Sequence, residues 1–158
     1  MSYWEVVAKH RVWIRQEDDL IKIDDEMRTA VDNALADRVP CILATASPDG
    51  HPSVGYRGSV LVFSDDTLAY WERTMRAGLG HVEANPHLVI MYRNPATRQA
   101  WKFYGRATVH RDGEVREQVM ARVVQQELDR DPDRRGFAVT VELDRIQLMN
   151  GELLQARD

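Results

Sequence analysis

The amino-acid sequence predicts a mainly β fold, a closed or nearly closed antiparallel β-barrel of about seven strands with flanking helices. Short apolar or alternating runs recur along the chain, and most are joined by only a few turn-forming residues. Connections this short cannot make parallel crossovers, so the pattern favours hairpins over a doubly wound sheet. The 158 residues suffice for one domain, expected at 24–150, between an N-terminal arm at 1–23 and a C-terminal tail at 151–158. The arm carries Trp4 and Trp13 and is a candidate dimer contact.

The first half of the chain is predicted to form one helix and two hairpins. Apolar residues at helical spacing indicate an amphipathic helix over 24–35, and Pro40 ends it. Two hairpins follow, because turn-forming residues at 47–50 and 64–66 each separate a pair of β-like runs. The four strands are expected at 41–46, from 52 onward, at 59–63 and at 67–71.

The second half is predicted to alternate helices with longer strands. A loop and a short helix over 73–84 precede an antiparallel pair made by 88–92 and 101–109. A second amphipathic helix is marked by Val115, Val119, Val123 and Leu128. In the last strand, 139–148, the apolar residues change parity near Asp144, which predicts a β-bulge there.

Composition excludes several classes of protein. The net charge of −4 and the pI near 5.7 do not favour binding to nucleic acid or to an anionic membrane. One cysteine, Cys41, cannot build a disulfide framework or a thiolate zinc cage and suits a reducing cytoplasm. No apolar stretch approaches the roughly 18 residues of a membrane span, and the first residues show no signal-peptide pattern. We expect a soluble, cytoplasmic protein.

No metal site and no catalytic constellation is predicted. The five histidines lack the spacings that bind zinc, and a hydrogen-bonded or solvated role accounts for them. Cys41 lies in an apolar strand without an adjacent base, so core packing explains it. The paired carboxylates Asp24-Asp25 and Asp65-Asp66 lie at a helix cap and a turn, where structural roles suffice.

A cluster of arginines, hydroxyls and glycine is the most informative polar feature. One group lies at a strand junction and the other follows the next strand, and antiparallel pairing can bring the two together around a phosphate. The two groups are Arg57, Gly58 and Ser59, and Arg73, Thr74 and Arg76. The spacing equally allows exposed arginines that form ion pairs with Glu72 or Glu83.

Two tryptophans could add a planar surface to this cluster. Trp71 immediately precedes the second group, and Trp101 is on a nearby predicted strand. Core or interface packing would explain the same residues.

Several strings, in this order, resemble the pyridoxamine 5′-phosphate oxidase-like family of flavin-binding split barrels. The likeness covers about 24–149 and rests on the strings taken together. They are Ala44-Thr-Ala-Ser-Pro-Asp-Gly-His-Pro-Ser53, Gly58-Ser-Val-Leu-Val-Phe63, Glu83-Ala-Asn-Pro-His-Leu-Val89 and Phe103-Tyr-Gly-Arg-Ala107.

The resemblance implies a six- or seven-stranded antiparallel split barrel, a homodimer, and FMN held in clefts between the subunits. It also implies a flavin-dependent oxidoreductase acting on a small-molecule redox substrate, with backbone N–H groups from Tyr56 to Ser59 near the flavin ring. The family's phosphate contacts would fall on Arg57, Arg73, Thr74 and Arg76. Relatives bind a deazaflavin cofactor or haem, and a protein that has lost its cofactor is the remaining alternative.

The sequence departs from the family pattern at the cofactor-binding positions. Counting back from Asn85-Pro86, the usual lysine falls on Gly78 and the usual serine on Arg76, so the phosphate contacts must be rearranged or absent. The glutamine that approaches the flavin ring aligns near Ala100, with Gln99 one residue out of phase and therefore on the other face of a strand. These departures argue against true pyridoxamine 5′-phosphate oxidase activity.

Overall fold

A computed structural model of the chain describes residues 20–157, which form eight strands and four helices. Most of the predicted arm, residues 1–19 with Trp4 and Trp13, lies outside the described residues, as does its expected dimer contact. The helices are α1 (Asp25–Asp32), α2 (Ala77–Ala84), α3 (Glu114–Arg122) and α4 (Gln125–Leu128). The strands are β1 (Cys41–Ala46), β2 (Pro52–Arg57), β3 (Leu61–Val62), β4 (Thr67–Glu72), β5 (His87–Asn94), β6 (Gln99–His110), β7 (Phe137–Gln147) and β8 (Leu153–Ala156).

One curled antiparallel sheet makes up the barrel, which confirms the predicted fold class. Its strands follow the order β2-β1-β5-β6-β7-β4-β3, and β8 pairs with the end of β7. Strands β2 and β3 at the two ends of this path do not pair, so the barrel is split. Every pairing is antiparallel, as the short connections require.

The predicted bulge is present where the parity of β7 changes. Tyr104 pairs with Arg145 while Gly105 pairs with Leu143, which leaves Asp144 as the extra residue. Gly105 permits the close approach of β6 and β7, because a side chain there would collide with the carbonyl oxygen of Glu142.

Two predictions about the second half of the chain are wrong. The predicted helix over 115–128 is two helices, because Val123 and Val124 adopt extended backbone and turn the chain between α3 and α4. The predicted tail contains a strand, β8, which is mostly exposed and pairs only with the end of β7. Four residues on an exposed edge carry little alternation, so the pattern gave no signal for this strand.

Apolar side chains are buried in two clusters on either side of β3 and β4. The larger cluster fills the barrel and includes Cys41, whose thiol pKa is raised to about 12 by burial. The smaller cluster joins Trp71 to Val119, Val123 and Leu128, and thereby fixes α3 and α4 beside β4. No helix in residues 20–157 is long and apolar enough to cross a bilayer.

Candidate functional site

A cavity of about 200 Å³ lies where the ends of β2 and β4 meet α4. We name it the arginine pocket. Seven of the nine predicted site residues line it: Tyr56, Arg57, Gly58, Ser59, Trp71, Arg73 and Thr74. The antiparallel folding of the chain brings the group at Arg57–Ser59 next to Arg73 and Thr74. Their role in binding a cofactor stays a prediction.

The other two predicted residues lie elsewhere. Arg76 is exposed at the N-cap of α2 and does not line the pocket. Trp101 points into the barrel core, where it is 7% exposed and stacks on Tyr92 with ring centroids 5.6 Å apart. The position of Trp101 on the inward face of β6 corrects the expectation that it supplies a planar surface at this pocket.

Arg57 is the central cation of the pocket. Its Nη2 lies 3.2 Å from the Glu72 Oε2, and its Nη1 donates to the Tyr56 carbonyl oxygen at 2.9 Å. The Arg57 Nε is buried and has no hydrogen-bond partner among the described residues. A buried donor of this kind is costly unless water or a ligand accepts its proton.

Two glycines make room for the Arg57 guanidinium. A Cβ at Gly55 would lie 3.3 Å from Nη1, and a Cβ at Gly78 would lie 3.2 Å from Nη2. Gly78 is on the first turn of α2, at the position where the resemblance places a lysine. The Arg57 guanidinium therefore occupies the space beside Gly78 and supplies a positive charge there.

A buried carboxylate neutralises Arg57. Glu72 is only 2% exposed, and its Oε1 accepts hydrogen bonds from the Thr74 hydroxyl at 2.8 Å and the Thr74 backbone N–H at 3.3 Å. Burial and the negative charge of Glu72 raise the pKa of the neighbouring Tyr70. The ion pair with Glu72 that the sequence left open as an alternative is present, but the Arg57 side chain is only 22% exposed rather than on the open surface.

The predicted hydroxyl and indole groups are already held by the protein. The Ser59 hydroxyl accepts from the Trp71 backbone N–H at 3.0 Å and donates to the Trp71 carbonyl oxygen at 3.2 Å. The Trp71 Nε1 donates to the Asp131 Oδ2 at 2.8 Å, and the Arg116 guanidinium lies 4.9 Å from the ring centroid. These contacts make Trp71 a rigid wall of the pocket.

Asp131 ties the α3–α4 region to this wall. It is 8% exposed and accepts backbone N–H groups of Arg135 at 3.0 Å and Gly136 at 2.8 Å, besides the Trp71 indole. Burial acts to raise the pKa of Asp131, but these hydrogen bonds outweigh it and leave the pKa below its usual value.

The sequence did not predict the residues that α4 and the α1–β1 connection bring to the pocket. They are Leu35, Pro40, Gln126, Glu127 and Arg130, the last of which directly follows α4 and Asp129. The Glu127 Oε2 lies 3.7 Å from the Arg73 Nε, and Arg130 has no ion pair with any residue in 20–157. No local pattern marks these side chains, because α4 reaches the pocket only through tertiary packing.

An apolar sheet face borders the pocket at Tyr56. Directly paired residues share a face of a sheet, and two cross-strand rows on the outside of the barrel are mostly apolar. Val54 and Tyr56 are 73% and 70% exposed. The face consists of Ile42, Ala44, Val54, Tyr56, Val89, Met91 and Tyr104, together with Lys102, which is paired with Met91.

Solved structures from other proteins share this fold. HupZ of Group A Streptococcus is 20% identical with a TM-score of 0.65, over 83% of this chain and 97% of that chain. An FMN-binding protein of Syntrophomonas wolfei is 14% identical with a TM-score of 0.62, over 94% of this chain and 97% of that chain. An F420 reductase is 16% identical with a TM-score of 0.57, over 79% of this chain and 98% of that chain.

Comparison of the sequence with known families identifies the family more specifically than the shared fold does. No curated protein matches the chain. The sequence model of the pyridoxamine 5′-phosphate oxidase family matches residues 26–147, a span that runs from α1 to the end of β7. With the split barrel and its strand order, this match over most of the domain shows that the chain belongs to the pyridoxamine 5′-phosphate oxidase family.

Proposed function

We propose that the protein is a flavin-binding oxidoreductase that holds the phosphate of FMN in the arginine pocket. The observation that carries the proposal is Arg57, a largely buried arginine whose Nε lacks a partner in the described chain. A phosphate oxygen is the acceptor that an arginine fork suits best. The family membership and the FMN-binding neighbour support the same ligand class.

The residues present fit an anionic ligand. Arg57 and Arg73 would hold the phosphate, and the absence of side chains at Gly55 and Gly78 leaves room for the Arg57 guanidinium. When bound, FMN supplies the electron transfer, and the chain binds the cofactor, orients it and excludes water. Trp71 and Pro40 contribute a rigid, largely apolar wall to this end of the pocket.

A titration of the purified protein with FMN tests this function. We expect quenching of FMN fluorescence that saturates at one FMN per chain, and a yellow preparation. Riboflavin, which lacks the phosphate, is the matched control and is expected to bind at least tenfold more weakly, the loss of one charge-assisted interaction. Absence of quenching with both flavins would remove the proposal in favour of a protein that has lost its cofactor.

A deazaflavin cofactor is the second candidate. Arg130 lines the pocket without an ion pair in the described chain, so a longer anionic tail would find a third cation beyond Arg57 and Arg73. The structural neighbour F420 reductase agrees with this ligand class. The same titration with the deazaflavin cofactor and with haem separates the candidates, because the tightest ligand identifies the cofactor.

We further propose that the protein is a homodimer whose subunits meet on the apolar sheet face. The pocket of one chain encloses about 200 Å³, below the roughly 300–1,000 Å³ of typical ligand sites. Tyr56 belongs to both the pocket and the apolar sheet face, so a second chain placed on that face would enlarge the pocket. Burying Val54 and Tyr56 would also stabilise the association.

Sedimentation measures the predicted association. We expect a single species at twice the 18.2 kDa chain mass. Val54→Lys introduces a charge into the apolar sheet face and is expected to give monomers that bind FMN more weakly. Gln118→Lys, on the exposed side of α3, is the control and is expected to remain dimeric. A wild-type monomer that binds FMN fully would contradict the proposed interface.

We propose the cytoplasm as the working compartment, on the basis of the single cysteine. Cys41 is a buried free thiol, and the described chain contains no disulfide. A protein of this kind suits the reducing cytoplasm, where we propose that it acts on a small-molecule redox substrate.

A further inference from the structure

The Glu127 carboxylate occupies the part of the arginine pocket beside Gly58. Its side chain is 12% exposed, and its Oε1 lies 2.5 Å from the position that a Cβ at Gly58 would take. The carboxylate therefore fits against the backbone of the strand junction only because residue 58 has no side chain. It is the one acidic side chain that α4 places in the pocket lining.

The contact that holds Glu127 in place is loose. Its Oε2 is 3.7 Å from the Arg73 Nε, longer than the 2.7–2.9 Å of a charge-assisted hydrogen bond. No described residue donates a hydrogen bond of ordinary geometry to this carboxylate. Glu72 differs, because it accepts from Arg57 and from both Thr74 donors.

The two carboxylates thus have different relations to the pocket cations. Glu72 forms a fully hydrogen-bonded pair with Arg57 and belongs to the barrel framework. Glu127 places a negative charge near Arg73 without accepting a hydrogen bond from the Arg73 guanidinium. It is carried by the four-residue helix α4, which follows the extended residues Val123 and Val124. A phosphate approaching Arg73 meets a negative charge that the protein itself has placed there.

We infer that Glu127 is an internal competitor for the anion site, which an incoming phosphate displaces from Arg73. This inference rests on the proposed function of the arginine pocket and assigns Glu127 the role of setting its affinity for phosphate. The pocket then favours ligands whose remaining parts contribute binding, because a bare phosphate must first displace the carboxylate. Free phosphate is accordingly a poor competitor of the complete cofactor.

The isosteric variant Glu127→Gln tests this role. It removes the negative charge but keeps the volume beside Gly58. Inorganic phosphate binding, followed as the rise in Tm over a phosphate titration, is expected to be about tenfold tighter in the variant than in the wild type. FMN affinity is expected to rise by a similar factor while riboflavin affinity stays unchanged, so the FMN-to-riboflavin ratio increases.

Two further variants show that the effect is local and acts through Arg73. Asp129→Asn removes a negative charge from the exposed residue after α4, and its phosphate and FMN affinities are expected to match the wild type. In an Arg73→Met background, the Glu127→Gln change is expected to raise phosphate affinity less than threefold, because the competition has been removed.

The outcomes separate this inference from the proposed function. Equal or weaker phosphate binding in Glu127→Gln, or no phosphate binding by either protein, overturns the inference whatever the flavin results. Tighter phosphate binding without any flavin binding supports the inference and removes the flavin function. Flavin binding with an unchanged FMN-to-riboflavin ratio supports the function and overturns the inference.

Discussion

Arg57→Met is expected to lower the affinity for FMN by about 10- to 100-fold, the largest effect of any single change in the pocket. Methionine keeps much of the apolar length of arginine but removes the guanidinium, and with it the buried Nε and the charge beside Gly78. Riboflavin binding is expected to change little, because the lost contacts are those made to phosphate. Fluorescence titration with both flavins measures the two affinities.

The Arg57→Met substitution also leaves the Glu72 carboxylate buried and without its ion-pair partner. An uncompensated buried charge is strongly destabilising. The double variant Arg57→Met/Glu72→Gln removes that charge and is expected to fold while still binding FMN weakly. Arg28→Met, which removes a half-buried arginine on α1 that is paired with Asp65, is the control and is expected to bind like the wild type. Unchanged FMN affinity in the folded double variant would show that Arg57 does not hold the phosphate.

Gly105→Ala is expected to lower the free energy of unfolding by about 3 kcal/mol, near the upper end for overpacking substitutions. The added Cβ would collide with the carbonyl oxygen of Glu142 and lie 2.8 Å from the Val141 Cγ1. The first neighbour is backbone in the centre of the sheet, so neither β6 nor β7 can move aside without breaking the ladder at the bulge. Urea denaturation followed by circular dichroism measures the change.

Gly80→Ala makes the same substitution at another glycine and is expected to raise the free energy of unfolding. Gly80 is an exposed residue within α2, and a Cβ there would meet nothing within 4 Å. Alanine is favoured over glycine inside a helix, so a gain of about 0.5–1 kcal/mol is expected. If Gly105→Ala were as stable as the wild type, β6 and β7 would not approach as closely as the structure has them.

Local patterns predicted much of the fold because they report on strand faces and turns. The hairpin that joins β1 to β2 and the bulge at Asp144 were both legible as alternation, turn residues and a change of parity. The position at which the predicted second helix ends was harder to predict from these patterns. Val123 continues the helical spacing of Val115 and Val119 but adopts extended backbone, as does Val124, and Val123 packs into the smaller core beside Trp71.

The candidate site was predictable only in part. Arg57 and Arg73 could be placed together because short antiparallel connections bring the ends of β2 and β4 to one side of the barrel. Their partners could not be derived in the same way. Glu72 was one of two candidates for the ion pair, and the other, Glu83, pairs with Arg111 instead.

The sequence by itself determined the antiparallel barrel and the arginine-bearing strand ends, because alternation, turn chemistry and short connections act over a few residues. The family followed from a resemblance carried by the order of several short strings. Only the tertiary structure decided that Trp101 faces the barrel core, that Asp131 holds Trp71 across 60 residues, and that Glu127 lies against Arg73. The physical reason is that a strand pattern specifies which side of the sheet a residue faces. It does not specify which distant segment packs on that side.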